Sequence, residues 1–383
     1  MRLTRWIWLP LALTLAGGAR FTFAQEKPNE ETATTTTPAD WRTRIAPTDF
    51  ASSGTGSWLS PTIVAPFPFD ELIYSWNAAL PPREGFRLYL KVTFGPADES
   101  PWLYAGYWGD VRDRVTSRSL PRFDAGVLDM DWLKLTRKAA AFRFRVDDAG
   151  SAPLSRLPSL AIVATDNSPS TPTLALARAL ETVPDAQPRI LDLPFRRQMD
   201  SRGNLTPNRC QSAALATALE YYGLKLPLEE IVARCYDEEY AYPGVWPRVI
   251  ATASHYGFEA YIDRFRTWDR VRAALAENKV ILCSIRMRRG ECEQPPYEQM
   301  GNHIVALNGV TDDGRVVVTD SFLAKSGRGR QCQWLMRDFE KVWMRAKGGI
   351  ALVICPPKNA QAKLVTDLPP FPYGREPIRG DDH

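Results

Sequence analysis

The chain has 383 residues, 44% of them hydrophobic, and a formal net charge of only +4 with acids and bases interspersed. That length accommodates two domains, each able to bury a core. So weak a charge excludes binding driven by attraction to nucleic-acid phosphates, and no repeat or block of like charge interrupts the sequence.

The first residues read as a targeting segment. Arg2 and Arg5 precede an apolar run from Trp6 to Ala16, and Thr22-Phe23-Ala24 offers a cleavage site before Gln25. The run is too short to span a bilayer. The expectation is a signal peptide over 1–24, export to a periplasmic or extracellular space, and no transmembrane span after cleavage. Residues 25–45 follow as a spacer, because Gln25 to Asp40 is rich in Thr, Glu and Pro with almost nothing apolar.

Residues 46–165 have β character. Phe86 to Phe94 alternates apolar and polar positions, Trp102 to Trp108 is aromatic, Ala141 to Val146 alternates again, and Leu160 to Ala164 is a short buried run. Pro and Gly clusters separate them, which predicts a sandwich. The aromatics Trp76, Trp102, Tyr104, Tyr107 and Trp108 form either its core or a stacking surface for glycan or peptide. Residues 166–188, with Asn-Ser-Pro-Ser-Thr-Pro, read as a linker.

From residue 189 to 357 the pattern changes. Helices are predicted at Ser212–Tyr222, Leu228–Cys235, Trp246–Tyr256 and Trp268–Glu277, with Gly223 and Gly257 in C-cap positions. Strands follow at Val280–Ile285, His303–Val310, Arg315–Asp320 and Ile350–Ile354. Helices first and an antiparallel sheet second is an α+β plan. Residues 358–383 form a tail.

Four residues in this region can make a thiol nucleophile. Cys210 begins a helix, where the helix dipole favours a thiolate. His303 can take its proton, Asp320 can orient the imidazole, and the amide of Gln198 can donate to an oxyanion. Of the three histidines, His255 falls at a helix end, as a surface group or dipole partner, and His383 ends the chain. Thr311-Asp312-Asp313-Gly314 is a turn. If all four residues form the loop, Asp320 lies two residues from the position opposite His303, on the same face, about 7 Å along the strand. If only Asp313-Gly314 turns, the offset doubles and the side chains cannot meet. The pairing therefore needs the longer loop or a bulge. No His/Cys/Asp cluster has metal-ligand spacing, so neither metal nor cofactor is expected. Of the six cysteines, Cys283 and Cys355 sit in apolar runs. Cys292 and Cys332 sit in polar loops and are the expected disulfide.

These pieces resemble a known family. Leu193 to Gln198, Cys210-Gln211-Ser212-Ala213-Ala214-Leu215 with Tyr221-Tyr222-Gly223, Gly301-Asn302-His303-Ile304-Val305 and Val317-Val318-Thr319-Asp320 are similar to the secreted C39-like group of papain-like cysteine peptidases. Tyr242 to Pro247 and Arg337 to Trp343 look like recurring pieces of it, and Ser75-Trp76-Asn77 with Trp102 to Trp108 looks like its accessory domain. The resemblance implies a papain-like fold, a Cys210–His303–Asp320 triad and Gln198 in the oxyanion hole. The sequence departs from the family pattern at Asn302, at Gln211-Ser212 and at Ser321, where Pro is common. The family's better-known members process bacteriocins on ABC transporters; with neither membrane spans nor an ATP-binding motif here, that role is not carried over.

The expectation is thus an exported cysteine peptidase acting on a peptide or protein substrate of the cell envelope, built from a β-sandwich-like domain and a C39-like domain. The alternatives are a catalytically silent peptide binder on the same fold, and an amidase or acyltransferase of envelope peptides.

Overall fold

The computed structural model describes residues 37–112, 122–200 and 202–357. The targeting segment, residues 25–36 of the expected spacer and the tail lie outside them. No helix among the described residues is long and apolar enough to cross a membrane.

The strands between Ala39 and Asp166 form one 11-stranded antiparallel sheet. Two long strands, Ile63–Asn77 and Trp132–Asp148, run through it, and their pairing shifts on either side of Ala139. Such irregularities bend strands and increase twist, so the sheet curls around an aromatic core that includes Phe69, Trp76, Phe86, Trp108, Phe142 and Phe144. The region is all β as the alternation predicts, but one sheet folds on itself where a sandwich uses two. Along Gly85–Gly95 the alternation puts Phe86, Leu88, Leu90 and Val92 inside.

Several expectations are corrected here. Ala39–Ile45, placed in the spacer, is a strand paired with Ser159–Asp166; Ala39 and Ile45 are buried anchors in an otherwise polar segment. The linker span contains a helix, Thr171–Leu180, started by Ser170, whose side chain accepts from the Thr173 N–H. Of the two readings open for the aromatics, burial of Trp76, Tyr107 and Trp108 selects the core for these three and involves no correction. His255 is also buried, hydrogen-bonded to Arg234 Nη1 at 3.1 Å and packed edge-on against Trp108. Burial, then the Arg234 charge, lowers its pKa to about 4. All six cysteines are free thiols, so Cys292 and Cys332 are not joined. Cys292 Sγ faces the Asp338 carbonyl at 3.9 Å, while Cys332 sits on a strand opposite Val318.

The second sheet has six antiparallel strands, in the spatial order Ala260–Arg264, Ile350–Ile354, Val280–Met287, Met300–Val310, Arg315–Thr319 and Cys332–Leu335. Helix Cys210–Tyr221 packs across strand Met300–Val310. It is buried from Cys210 to Leu219, polar Gln211, Ser212 and Thr217 included, and rich in alanine, which lets it approach the sheet closely. Gly223, at φ +95°, ends it.

The two sheets share a border with a clear physical cause. Strand Ala260–Arg264 is the outer strand of its sheet, and an outer strand leaves backbone groups unpaired. Side chains of strand Ile63–Asn77 take them up: Asn77 Nδ2 donates to Ala260 O (2.8 Å), Ala260 N donates to Asn77 Oδ1 (3.0 Å), and Ile262 N donates to Ser75 Oγ (3.1 Å). Ion pairs flank the seam, Arg42 to Asp263 (2.6 Å) and Arg266 to Asp40 (2.9 Å). Residues 37–357 form one compact unit.

Candidate active site

Asn208 sets up the nucleophile position. Its left-handed backbone, φ 62°, turns the chain into the helix that begins at Cys210; asparagine visits that region more readily than most residues. Being at the first turn, the Cys210 N–H has no acceptor within the helix. The side chain is 5% exposed. Its Sγ lies 3.1 Å from Gln211 Oε1, which the thiol donates to, and Gln211 is pinned in turn by donating from Nε2 to the Tyr242 hydroxyl at 2.9 Å. Gly244 makes room for this pair, since a Cβ there would stand 2.4 Å from Gln211 Nε2 and 2.5 Å from the Tyr242 ring.

His303 and Asp320 meet. His303 Nε2 is 2.8 Å from Asp320 Oδ1, and both side chains are buried. An ionised carboxylate only accepts, so Nε2 carries the proton and Nδ1 is the nitrogen left to face a partner. The group that acts on the ring from beyond Asp320 is Cys210, close enough to raise the imidazole pKa. Burial alone would lower the His303 pKa; the Asp320 charge and hydrogen bond, with Cys210, outweigh it and raise it to about 10. Phe322 covers the imidazole edge-on at 5.9 Å, and its N–H donates to Asp320 Oδ1 at 2.9 Å.

The hairpin uses neither of the two simple loops. Val310 pairs with Val316, so five residues turn, yet beyond Asn308 the register is that of a four-residue loop, with Leu307 opposite Val318. Asn308 is the extra, bulged residue. One more step along this register sets Asp320 opposite Val305, two residues from His303 and on its face.

Gln198 is buried and fixed at both ends of its amide. Its Nε2 donates to Thr206 O at 3.2 Å and its Oε1 accepts from Ser321 Oγ at 2.7 Å. Backbone pairing of Thr206 N to Gln198 O (3.0 Å) ties this segment to the loop leading into Cys210. All four expected residues are therefore buried at the junction of this helix and sheet, with His303 bonded directly to Asp320 and Cys210 near enough to His303 to shift its pKa. The sequence reasoning missed Gln211 and Ser321, noted only as departures, and Tyr242, inside a segment singled out for another reason. It also missed Tyr297, whose ring packs on Phe322. Among the described residues no group of His, Cys, Asp or Glu could hold a metal ion.

Comparison with known proteins gives two family matches. Residues 190–350 match the Peptidase_C39 like family, and residues 14–165 match the Peptidase C39 N-terminal domain. Among solved structures, the chain is similar to a double glycine motif protease from an AMS/PCAT transporter in complex with the leader peptide. That likeness is 20% identity over 44% of this chain and 98% of the other, with a TM-score of 0.30. It is also similar to the peptidase domain of Streptococcus ComA, a bi-functional ABC transporter involved in a quorum sensing pathway, at 15% identity over 43% of this chain and 98% of that one, TM-score 0.28. A search of curated proteins found no match. The two family matches cover the curled β region and the thiol-bearing region in turn, and the thiol-bearing region belongs to the Peptidase_C39 like family.

Proposed function

We propose that this protein is an exported cysteine peptidase in which Cys210, His303 and Asp320 hydrolyse a peptide bond and Gln198 helps hold the oxyanion. The observation that carries the reading is the buried His303–Asp320 hydrogen bond at 2.8 Å, with Cys210 close enough to His303 to act on its proton.

The chemistry runs in two halves. His303 holds the proton, paired with Asp320, and Cys210 attacks the scissile carbonyl carbon as the thiolate. Negative charge gathers on the carbonyl oxygen, where the Cys210 N–H and an N–H of Gln198 can donate to it. Ser321 keeps that amide from flipping by occupying its oxygen. His303 then protonates the departing amine, the C–N bond breaks, and a thioester remains on Cys210. In the second half water gives a proton to His303 as it attacks the thioester, and the acid product leaves with the thiol restored. Asp320 holds the ring and stabilises its charged form throughout.

The test is to incubate the mature protein with a proteome-derived peptide library in 18O-labelled water and read new termini by mass spectrometry. The expected result is a defined set of cleavages with 18O in the new carboxyl groups, absent with Cys210→Ala. New amide products in the presence of added amines, without 18O uptake, would instead assign acyl transfer. Identical spectra for the two proteins would remove the peptidase reading.

A further inference from the structure

Two polar atoms beside the candidate triad lack a partner. Asp320 Oδ1 carries the whole load of that carboxylate, accepting from His303 Nε2 at 2.8 Å and from the Phe322 N–H at 2.9 Å. Asp320 Oδ2 is buried and accepts no hydrogen bond, and the hydroxyl of Tyr297 is likewise buried and unpaired. An orphaned buried acceptor and an orphaned buried donor each carry a desolvation cost that a single bond between them removes. They are neighbours: the Asp320 carboxylate acts on the Tyr297 phenol, and the Tyr297 ring packs on Phe322, whose N–H already donates to Asp320.

The surroundings aim this phenol. The Tyr297 ring stands edge-on to Trp334 at 5.7 Å and to Phe322 at 6.3 Å, and Phe322 is the ring that covers His303. The loop that carries Tyr297 is tied to Asp338, whose Oδ2 accepts from the backbone N–H of Glu293 (2.9 Å) and Gln294 (3.4 Å). Lys341 Nζ clamps the same loop, donating to Glu291 O at 3.3 Å and to Asp338 Oδ1 at 3.2 Å. Burial, offset by these donors, leaves the Asp338 carboxyl below its ordinary pKa, so the anchor is charged. Asp338 and Lys341 belong to the short helical stretch Met336–Arg345.

We propose that Tyr297 is a positioning residue of this site: its hydroxyl donates to Asp320 Oδ2, fixing the carboxylate so that Oδ1 stays in line with His303 Nε2. The inference rests on the reading of Asp320 and His303 as part of a thiol-activating triad. It extends that triad by one member, held in turn by the loop on Asp338. A carboxylate bonded through one oxygen can pivot about it; a donor on the other oxygen removes that freedom and fills the second lone-pair set. The carboxylate's role is geometric, so its anchor acts on the rate through His303 and touches no substrate.

Tyr297→Phe deletes one oxygen and keeps the ring between Trp334 and Phe322. The rate of Cys210 alkylation by iodoacetamide in the full protein is the readout, with the His303 Nε2–H proton resonance as a direct signature. The wild-type rate relative to His303→Ala tests the underlying triad by itself. Given a fast, His303-dependent wild-type rate, Tyr297→Phe slows alkylation about tenfold, as expected for loss of orientation in a reacting group, and displaces the Nε2–H resonance. In an Asp320→Ala background the same substitution has no further effect. A wild-type rate in Tyr297→Phe with an unmoved resonance overturns the proposal while leaving the triad standing. Equal slowing with and without Asp320 overturns it too, because the effect then comes from packing.

Discussion

His303 and Asp320 face each other because Asn308 is an extra residue in the strand between them. Strand Met300–Val310 pairs with Arg315–Thr319, and the register shifts by one between Leu307 and Gly309. Without that shift Asp320 would stand opposite Ala306, an odd number of residues from His303 and thus on the other face of the sheet. The bulge is locked by side-chain bonds: Asn308 Nδ2 donates to Leu191 O (2.8 Å) and its Oδ1 accepts from Thr319 Oγ1 (2.9 Å). Next to it a Cβ on Gly309 would stand 2.1 Å from Arg189 O, so glycine lets the incoming segment lie against the bulge.

Asn308→Ala removes both locks and leaves the buried Thr319 hydroxyl without its acceptor, while Leu191 O keeps the Leu193 N–H. The expected cost is about 1–3 kcal/mol of unfolding free energy from denaturant titration, with slower alkylation of Cys210 as the His303–Asp320 line loosens. Asn308→Asp keeps the acceptor but loses the donor to Leu191, and should fall between Ala and wild type. Unchanged stability in Asn308→Ala would show that the bulge needs no lock.

The His303 pKa gives a signed pH dependence. Its folded value, about 10, lies above the ordinary histidine value. The folded state therefore holds this proton more tightly, and the contribution to stability is complete below about pH 6.5, the unfolded value. It is lost as pH rises towards 10. NMR titration of His303 should show protonation persisting well above neutrality, and Asp320→Asn should lower the midpoint. A midpoint unaffected by Asp320→Asn would contradict the assigned cause.

His255 acts in the opposite direction. Its folded pKa, about 4, is below the unfolded one, so the unfolded chain binds more protons between pH 4 and about 6.5. Stability should fall as acid is added through that window. His255→Gln should flatten that part of the stability curve, as read from urea midpoints at successive pH values; a parallel curve would show that other groups set the slope.

The border between the sheets predicts a third effect. Asn77→Ala strips partners from both the N–H and the C=O of Ala260. The expected loss is about 2–4 kcal/mol in a denaturant titration. Ser75→Ala, which costs only the Ile262 N–H its acceptor, should lose about half as much. Wild-type stability for Asn77→Ala would mean that water serves this strand edge equally well.

How much of this was legible in the sequence depends on whether a feature is local. Helix Leu228–Cys235 announces itself by periodicity, helix Trp246–His255 by periodicity and the Gly257 stop, and strand Ile350–Ile354 by an unbroken apolar run. Strand Ala39–Ile45 does not: its polar residues Arg42 and Asp40 look like a solvated spacer until Asp263 and Arg266 arrive from far along the chain. The types at 198, 210, 303 and 320 suggested their chemistry, but two loop lengths were open for the hairpin. The bulge, the alternative named beside the longer loop, is set by Leu191, which lies more than a hundred residues before Asn308. Gln211 and Ser321 were visible only as departures from a pattern, because their roles are contacts to Tyr242 and Gln198. The tryptophans at 76 and 108 were ambiguous for the same reason: an aromatic in a strand reads alike on either face until the sheet curls.

The central claim is that His303 activates the sulfur of Cys210. The most direct measurement is the second-order rate of iodoacetamide alkylation of Cys210 across pH 5 to 9, by peptide mass spectrometry, in the wild type and in His303→Ala. The account predicts that the wild type reacts well below the pH at which a free thiol ionises, about 8.5, and that His303→Ala reacts only as that ionisation proceeds. Superimposable pH profiles for the two proteins would contradict it.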